Sequence, residues 1–147
     1  MTQPSAKAAH AIQILLVEDD DGDARAVERT FVKARIANPI VRAIDGVEAL
    51  DLMKGTNGRA RLRRPYLLLV DLNMPRTNGL QLISTIRADP ELHDSIIFVL
   101  TTSNRTEDKD SAYALNVTGY ILKESAGEDF LKLFSLVDSY WRIVEMH

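Results

Sequence analysis

The fold follows from one segment, Tyr66-Leu67-Leu68-Leu69-Val70-Asp71-Leu72-Asn73-Met74-Pro75. After Pro65 come an aromatic residue and four aliphatic ones without interruption, the pattern of a strand buried on both faces of a parallel sheet. The run ends in one carboxylate, followed by turn-forming Asn73 and Pro75. Ligands of parallel α/β sheets collect just beyond the carboxyl ends of the strands. A strand of this kind therefore carries Asp71 to the edge where chemistry takes place. Alone, a strand-end Asp fits a turn equally well. Its weight comes from the neighbouring segments.

Upstream, Ile12 to Val17 is apolar apart from Gln13 and reads as a first strand. It runs straight into Glu18-Asp19-Asp20-Asp21. Acid runs are commonly solvated surface, but this one lies between a buried strand and a helix. Asp21 or Asp23 is expected to cap that helix, whose dipole favours acids at its start. Ala24, Val27, Phe31 and Ala34 form its apolar stripe, to about Arg35. Asn38-Pro39 breaks the chain before a second strand, Ile40 to Ile44. Asp45 caps a second helix reaching Lys54, with Val47, Leu50 and Met53 expected inward and Gly55 closing it. The loop to Pro65 holds Arg59, Arg61, Arg63 and Arg64 and reads as solvated charge.

Downstream, Asn78 caps a third helix with Gln81 at the capping-box position. Leu80, Ile83 and Ile86 are expected to face inward, and Asp89-Pro90 stops the helix. Ser95 to Leu100 is a fourth strand ending in Thr101-Thr102-Ser103. A fourth helix, acidic in its first turn, runs to about Asn116. Gly119-Tyr120-Ile121-Leu122 is a fifth strand ending at Lys123, and a last helix spans about Gly127 to Val144. This alternation specifies an α/β fold: a doubly wound five-stranded parallel sheet, flavodoxin-like in its order 2-1-3-4-5, with five helices. Residues 12–147 form one domain, and residues 1–11 read as a flexible N-terminal tail.

That order brings Glu18, Asp19 and Asp71 into one crevice, with Thr101 and Lys123 on its far wall. Two carboxylates about 4 Å apart repel by about 4 kcal/mol at an effective dielectric of about 20. A hard divalent cation removes the conflict, and an all-oxygen ligand set favours Mg²⁺. Lys123 adds a compact positive charge and Thr101 a hydroxyl donor. Together they form a place to hold phosphoryl oxygens, since phosphoryl transfer relies on positioning and charge neutralisation. Asp71, in the middle, is then the nucleophile.

Other chemistries find little support. With 147 residues and a net charge of −3, the chain is one ordinary domain with no case for direct nucleic-acid binding. It has no cysteine, which excludes disulfides and thiolate metal sites and fits a cytoplasmic setting. No apolar run approaches the length of a membrane span. His10, His93 and His147 avoid the strand ends, and neither GxxxxGK[ST] nor GxGxxG occurs. A two-carboxylate hydrolase built on Glu18 and Asp71 would leave Lys123 and Thr101 without a role.

The motifs ILLVEDD (14–20), LLLVDLNMP (67–75) with Asn78-Gly79, VLTTS (99–103) and GYILK (119–123) together resemble the receiver domains of bacterial two-component response regulators. The resemblance covers about residues 12–144. It implies that Asp71 accepts a phosphoryl group, that Asp19 ligates Mg²⁺ directly, that Glu18 acts through water, and that Asn73 offers its backbone carbonyl. It further implies that Thr101 and Lys123 hold phosphoryl oxygens and that Tyr120 is the switch aromatic. The long loop before the third strand and the LTTS sequence look most like single-domain regulators paired with bacterial phytochrome histidine kinases. One departure is Glu124, where the family has a proline after the lysine, joined by a cis bond. It puts the approach of Lys123 in question.

The resulting expectation is a stand-alone, phosphoryl-accepting switch, a signalling protein and not an enzyme with a separate substrate. A sensor histidine kinase is its partner, and the chain ends with no output domain. Two rivals stand beside it. A phosphorylation-independent receiver-like interaction module would have lost one of the site residues. A phosphatase with an aspartyl-phosphate intermediate would carry a second Asp where Asn73 stands. The last helix also has an apolar arc about 180° wide, against the roughly 100° a core-facing helix needs. Phe130, Phe134, Val137 and Trp141 can face the sheet. Leu133, Leu136, Tyr140 and Ile143 are left for a homodimer interface.

Overall fold

The strand ends are brought level by the register of a sheet whose central residues are buried on both faces. The computed structural model of the chain describes residues 12–74, 78–102 and 106–132. Five parallel strands, β1 (Gln13–Val17), β2 (Ile40–Ala43), β3 (Tyr66–Asp71), β4 (Ile96–Thr101) and β5 (Gly119–Leu122), lie in the order β2-β1-β3-β4-β5. Between them run α1 (Asp21–Lys33), α2 (Gly46–Lys54), α3 (Gly79–Ala88) and α4 (Thr106–Tyr113). A 3₁₀ turn (Lys123–Ser125) leads from β5 into α5, described over 126–132. Fold class and strand order agree with the sequence reading. The 1–11 tail lies outside the described residues, as do the interface residues Leu133, Leu136, Tyr140 and Ile143.

Strand alternation divides the core into two layers. Leu15, Val17, Leu68, Val70, Ile97 and Val99 pack against Ala49 and Met53 of α2, Leu82, Ile83 and Ile86 of α3, and Ala112 of α4. Ile14, Leu16, Leu67, Leu69, Phe98, Leu100 and Ile121 pack against α1 and α5 through Val27, Phe31, Ala126 and Phe130. Leu67 to Val70 expose no surface at all. Removing one such side chain, as in Leu68→Ala, costs about 2–5 kcal/mol. Phe130 stacks on Phe31 at 5.0 Å and meets Phe98 edge-on at 5.9 Å, fixing α5 to the sheet. Gly127 lets α5 press on α1, because a Cβ there would lie 2.1 Å from the Thr30 carbonyl oxygen.

Three local expectations are corrected. Asp20, and neither Asp21 nor Asp23, caps α1: it is the last extended residue, and its carboxylate accepts the Asp23 N–H at 2.8 Å. On α2 the inward face runs through Gly46, Ala49 and Met53, whereas Val47 is 68% exposed. The small residues let the helix lie close over β1 and β2. On α3 Leu82 is buried beside Ile83 and Ile86, with Leu80 only partly covered. The arginine-rich loop does keep Arg59, Arg61, Arg63 and Arg64 exposed, as expected, and it is anchored at buried Leu62, whose N–H reaches the Leu52 carbonyl at 2.8 Å, while Arg59 pairs with Glu48.

Candidate functional site

β1 pairs with β3 through Val17 and Val70, so Glu18 and Asp71 leave the sheet at the same level. Glu18 continues the side of Leu16, and Asp71 that of Leu69, both facing the α1/α5 layer. Lys123 follows Ile121 on that side. Thr101 follows Val99 onto the opposite side, which also carries Tyr120. The groups therefore straddle the carboxyl edge of the sheet.

Glu18, Asp71 and Thr101 are each 1% exposed, the buried polar or charged residues among those described. One oxygen from each of Glu18, Asp19 and Asp71 lies within 4.8 Å of the others. The Lys123 ammonium donates to Asp71 Oδ2 at 2.9 Å and to Asp23 Oδ2 at 3.0 Å, and stands 3.2 Å from Glu18 Oε1. Asp71 Oδ1 accepts the Asn73 N–H at 2.8 Å. The Asn73 side chain turns away, taking the Thr102 N–H at 2.8 Å and so tying the β3–α3 turn to the end of β4. Glu18 is held by Arg42, whose Nε donates to its carbonyl at 2.9 Å, and by the Asp20 N–H on Oε2 at 3.2 Å.

This crowding shows in the acid–base chemistry. Burial pushes the Glu18 pKa up to about 8, with the hydrogen-bonded, negatively charged Asp71 adding to the rise. Burial works against the Lys123 charge. Hydrogen bonds to Asp71 and Asp23, with the charges of Asp71 and Glu18, outweigh it and hold the lysine above its ordinary pKa. Glu18 Oε1 is a buried oxygen that accepts no hydrogen bond. Its neighbour is the Lys123 ammonium, and a cluster of three carboxylates with no imidazole or thiolate ligand fits a hard divalent cation. Beside the cluster opens a cleft of about 700 Å³ between α2 and α3, lined by Asp19, Asp45, Asn78 and Gln81 among others.

The response regulator receiver domain matches over residues 14–135. The chain belongs to this family. Response regulator Rcp1 of Synechocystis sp. is 31% identical over 128 residues, covering 87% of each chain. The structure of its Mn²⁺-bound form superposes with a TM-score of 0.66 at 31% identity, over 88% of this chain and 94% of that one. The bacteriophytochrome response regulator AtBRR is similar at a TM-score of 0.74 and 30% identity, covering 85% of this chain and 91% of its own. The phosphorylated cyanobacterial phytochrome response regulator RcpA follows at 0.69 and 29%, over 89% and 94%.

Within this receiver domain the fold brings together Glu18, Asp19, Asp71 and Lys123, with Thr101 at the end of the strand next to β3. Tyr120, paired in register with Val99, stacks at 6.4 Å on Tyr113 of α4. The Lys123–Glu124 bond is trans, and the lysine reaches Asp71 nonetheless. The sequence reading missed three contributors. Arg42 braces Glu18, Asp23 shares Lys123, and Asp129 accepts hydrogen bonds from the turn around Lys123. Their residue types were visible; their partners, up to 100 positions away, were not.

Proposed function

We propose that Asp71 is the phosphoryl acceptor of a switch served by a sensor histidine kinase. The observation that carries this reading is the Lys123 ammonium on Asp71 Oδ2, beside two further carboxylates with which Asp71 can share a cation. One carboxylate oxygen of Asp71 attacks phosphorus, the bond from phosphorus to the donor breaks, and the donor leaves with that electron pair. The Asn73 N–H orients the Asp71 carboxylate, and Lys123 follows the charge onto the phosphoryl oxygens, joined there by the Thr101 hydroxyl. Asp19, Asp71 and the Asn73 carbonyl would hold Mg²⁺, with Glu18 acting through water, and the cation would neutralise phosphoryl charge. The names of AtBRR and RcpA support a bacterial phytochrome as the kinase. Among the described residues no helix is long and apolar enough to cross a membrane, and we place the exchange with the kinase in the cytoplasm.

Incubation with acetyl phosphate and Mg²⁺, followed by intact mass, tests the assignment. Wild type gains one phosphoryl group and Asp71→Asn gains none. Equal labelling of the mutant overturns it, and an unlabelled wild type returns the protein to a phosphorylation-independent interaction module.

A further inference from the structure

We propose that Asp129 is a positioning residue for Lys123, an inference that rests on the proposed phosphoryl transfer. The turn carrying Lys123 is a single 3₁₀ turn, and Leu122, the strand residue before it, offers no side-chain cap. Asp129, one turn into α5, reaches back to both flanks of this turn. Its Oδ2 accepts the Leu122 N–H at 3.3 Å and the Ser125 hydroxyl at 3.1 Å. One oxygen thus ties the residue before Lys123 to the residue two after it. The same Leu122 pairs in register with Thr101, so the clamp also joins the two residues that face the phosphoryl position.

The clamp has a rigid base. Residue 130, next to Asp129, is fully buried between Phe31 and Phe98. Two residues before Asp129, the Gly127 N–H donates to the Thr30 hydroxyl of α1 at 3.0 Å, and Thr30 in turn donates to the Val27 carbonyl at 2.7 Å. Asp129 therefore refers the lysine turn to the α1/α5 layer, the layer from which Glu18 and Asp71 also project. The ion pairs of Lys123 with Glu18 and Asp23 hold its ammonium but not its backbone. A lysine on a long flexible stem has its reach set by where its Cα is held. Beside the backbone bond from the Ala126 N–H to the Lys123 carbonyl, the side-chain hydrogen bonds that hold this turn come from Asp129.

The test compares wild type, Asp129→Ala, Asp129→Asn, Lys123→Ala and the Lys123→Ala/Asp129→Ala double variant. Labelling rates with acetyl phosphate and Mg²⁺ are read by intact mass, and Mg²⁺ affinity by calorimetry. Asp129→Ala should label about tenfold more slowly, since small misplacements of a catalytic group have effects of this order. Its Mg²⁺ affinity should match wild type, because the ligand carboxylates are untouched. Asp129→Asn keeps an oxygen acceptor and should recover the rate. The double variant should be no slower than Lys123→Ala alone. A wild-type rate in Asp129→Ala, or losses that multiply in the double variant, overturns the proposal. A readout free of phosphorylation separates the two readings: the ¹⁵N signal of the hydrogen-bonded Lys123 ammonium should survive in Asp129→Asn and broaden in Asp129→Ala. If wild type takes no label but this signal behaves as stated, the phosphoryl reading falls and the clamp stands. If the signal is identical in all three, the clamp falls.

Discussion

Glu18 holds the sharpest conflict at the residue scale, a carboxylate buried beside another carboxylate. Its pKa is raised from an ordinary 4.5 to about 8 in the folded protein. Between those limits the folded state therefore binds more protons than the unfolded one, and stability falls as pH rises through that window. In the metal-free protein, urea unfolding at about pH 5.5 and about pH 8.5 should show this loss, and Glu18→Gln should reduce it. Equal pH dependence in both proteins would refute the assignment to Glu18. Mg²⁺ held by these carboxylates would relieve the same repulsion, so millimolar Mg²⁺ should raise the melting temperature. Asp19→Asn should weaken that effect while stabilising the metal-free form. A melting temperature insensitive to Mg²⁺ would contradict the crowded-carboxylate account.

Two contacts between elements set how the helices are held. Arg87, at the end of α3, donates to the carbonyls of His93, Ser95, Leu115 and Asn116 at 2.7 to 2.9 Å. It fastens α3 to the segments entering β4 and β5. Arg87→Ala removes these charge-assisted bonds together and should destabilise by about 2–5 kcal/mol, with Arg87→Lys recovering little because an ammonium lacks the planar fork. The midpoint of denaturant unfolding measures both. At the α1/α5 contact, Gly127→Ala places a methyl group against the Thr30 carbonyl and should cost about 1–3 kcal/mol through overpacking. A neutral result would mean that α5 shifts freely, which its buried Phe130 argues against.

Signalling at the scale of the whole molecule requires the phosphoryl site to reach a surface. Thr101 and Tyr120 stand on the same face of adjacent strands, and Tyr120 stacks on half-exposed Tyr113. We propose that a phosphoryl group drawing in Thr101 would make room for Tyr120 to turn inward, since states a few kcal/mol apart are enough for phosphorylation to shift their populations. Thr101→Ala should still accept a phosphoryl group but lose the amide shift changes around Tyr120. Undiminished changes in that variant would break the link. The homodimer proposed through Leu133, Leu136, Tyr140 and Ile143 is tested by charged replacements at Leu136 and Tyr140, which should give a folded monomer by light scattering. A wild type monomeric at tens of micromolar would end that proposal.

The sequence by itself determined the parallel sheet, its strand order and the acids at its edge. Strands buried on both faces must be continuous apolar runs, and Asp71 at the end of one such run has no role in the core. Helix orientation was less legible. On nine-residue α2, Val47-Leu50-Met53 and Gly46-Ala49-Met53 are both helical stripes, and only close packing over β1 and β2 selects the second. The cap of α1 is Asp20 and neither Asp21 nor Asp23 for a similar reason, since several neighbouring aspartates all suit a helix start and the backbone turn picks one. The bracing of the site was not legible. Arg42 on Glu18, Asp23 on Lys123 and Arg87 on Leu115 and Asn116 join positions with no local pattern between them. Such partners meet because the sheet register and the α1/α5 contact bring their backbones together, and only the tertiary structure decides that.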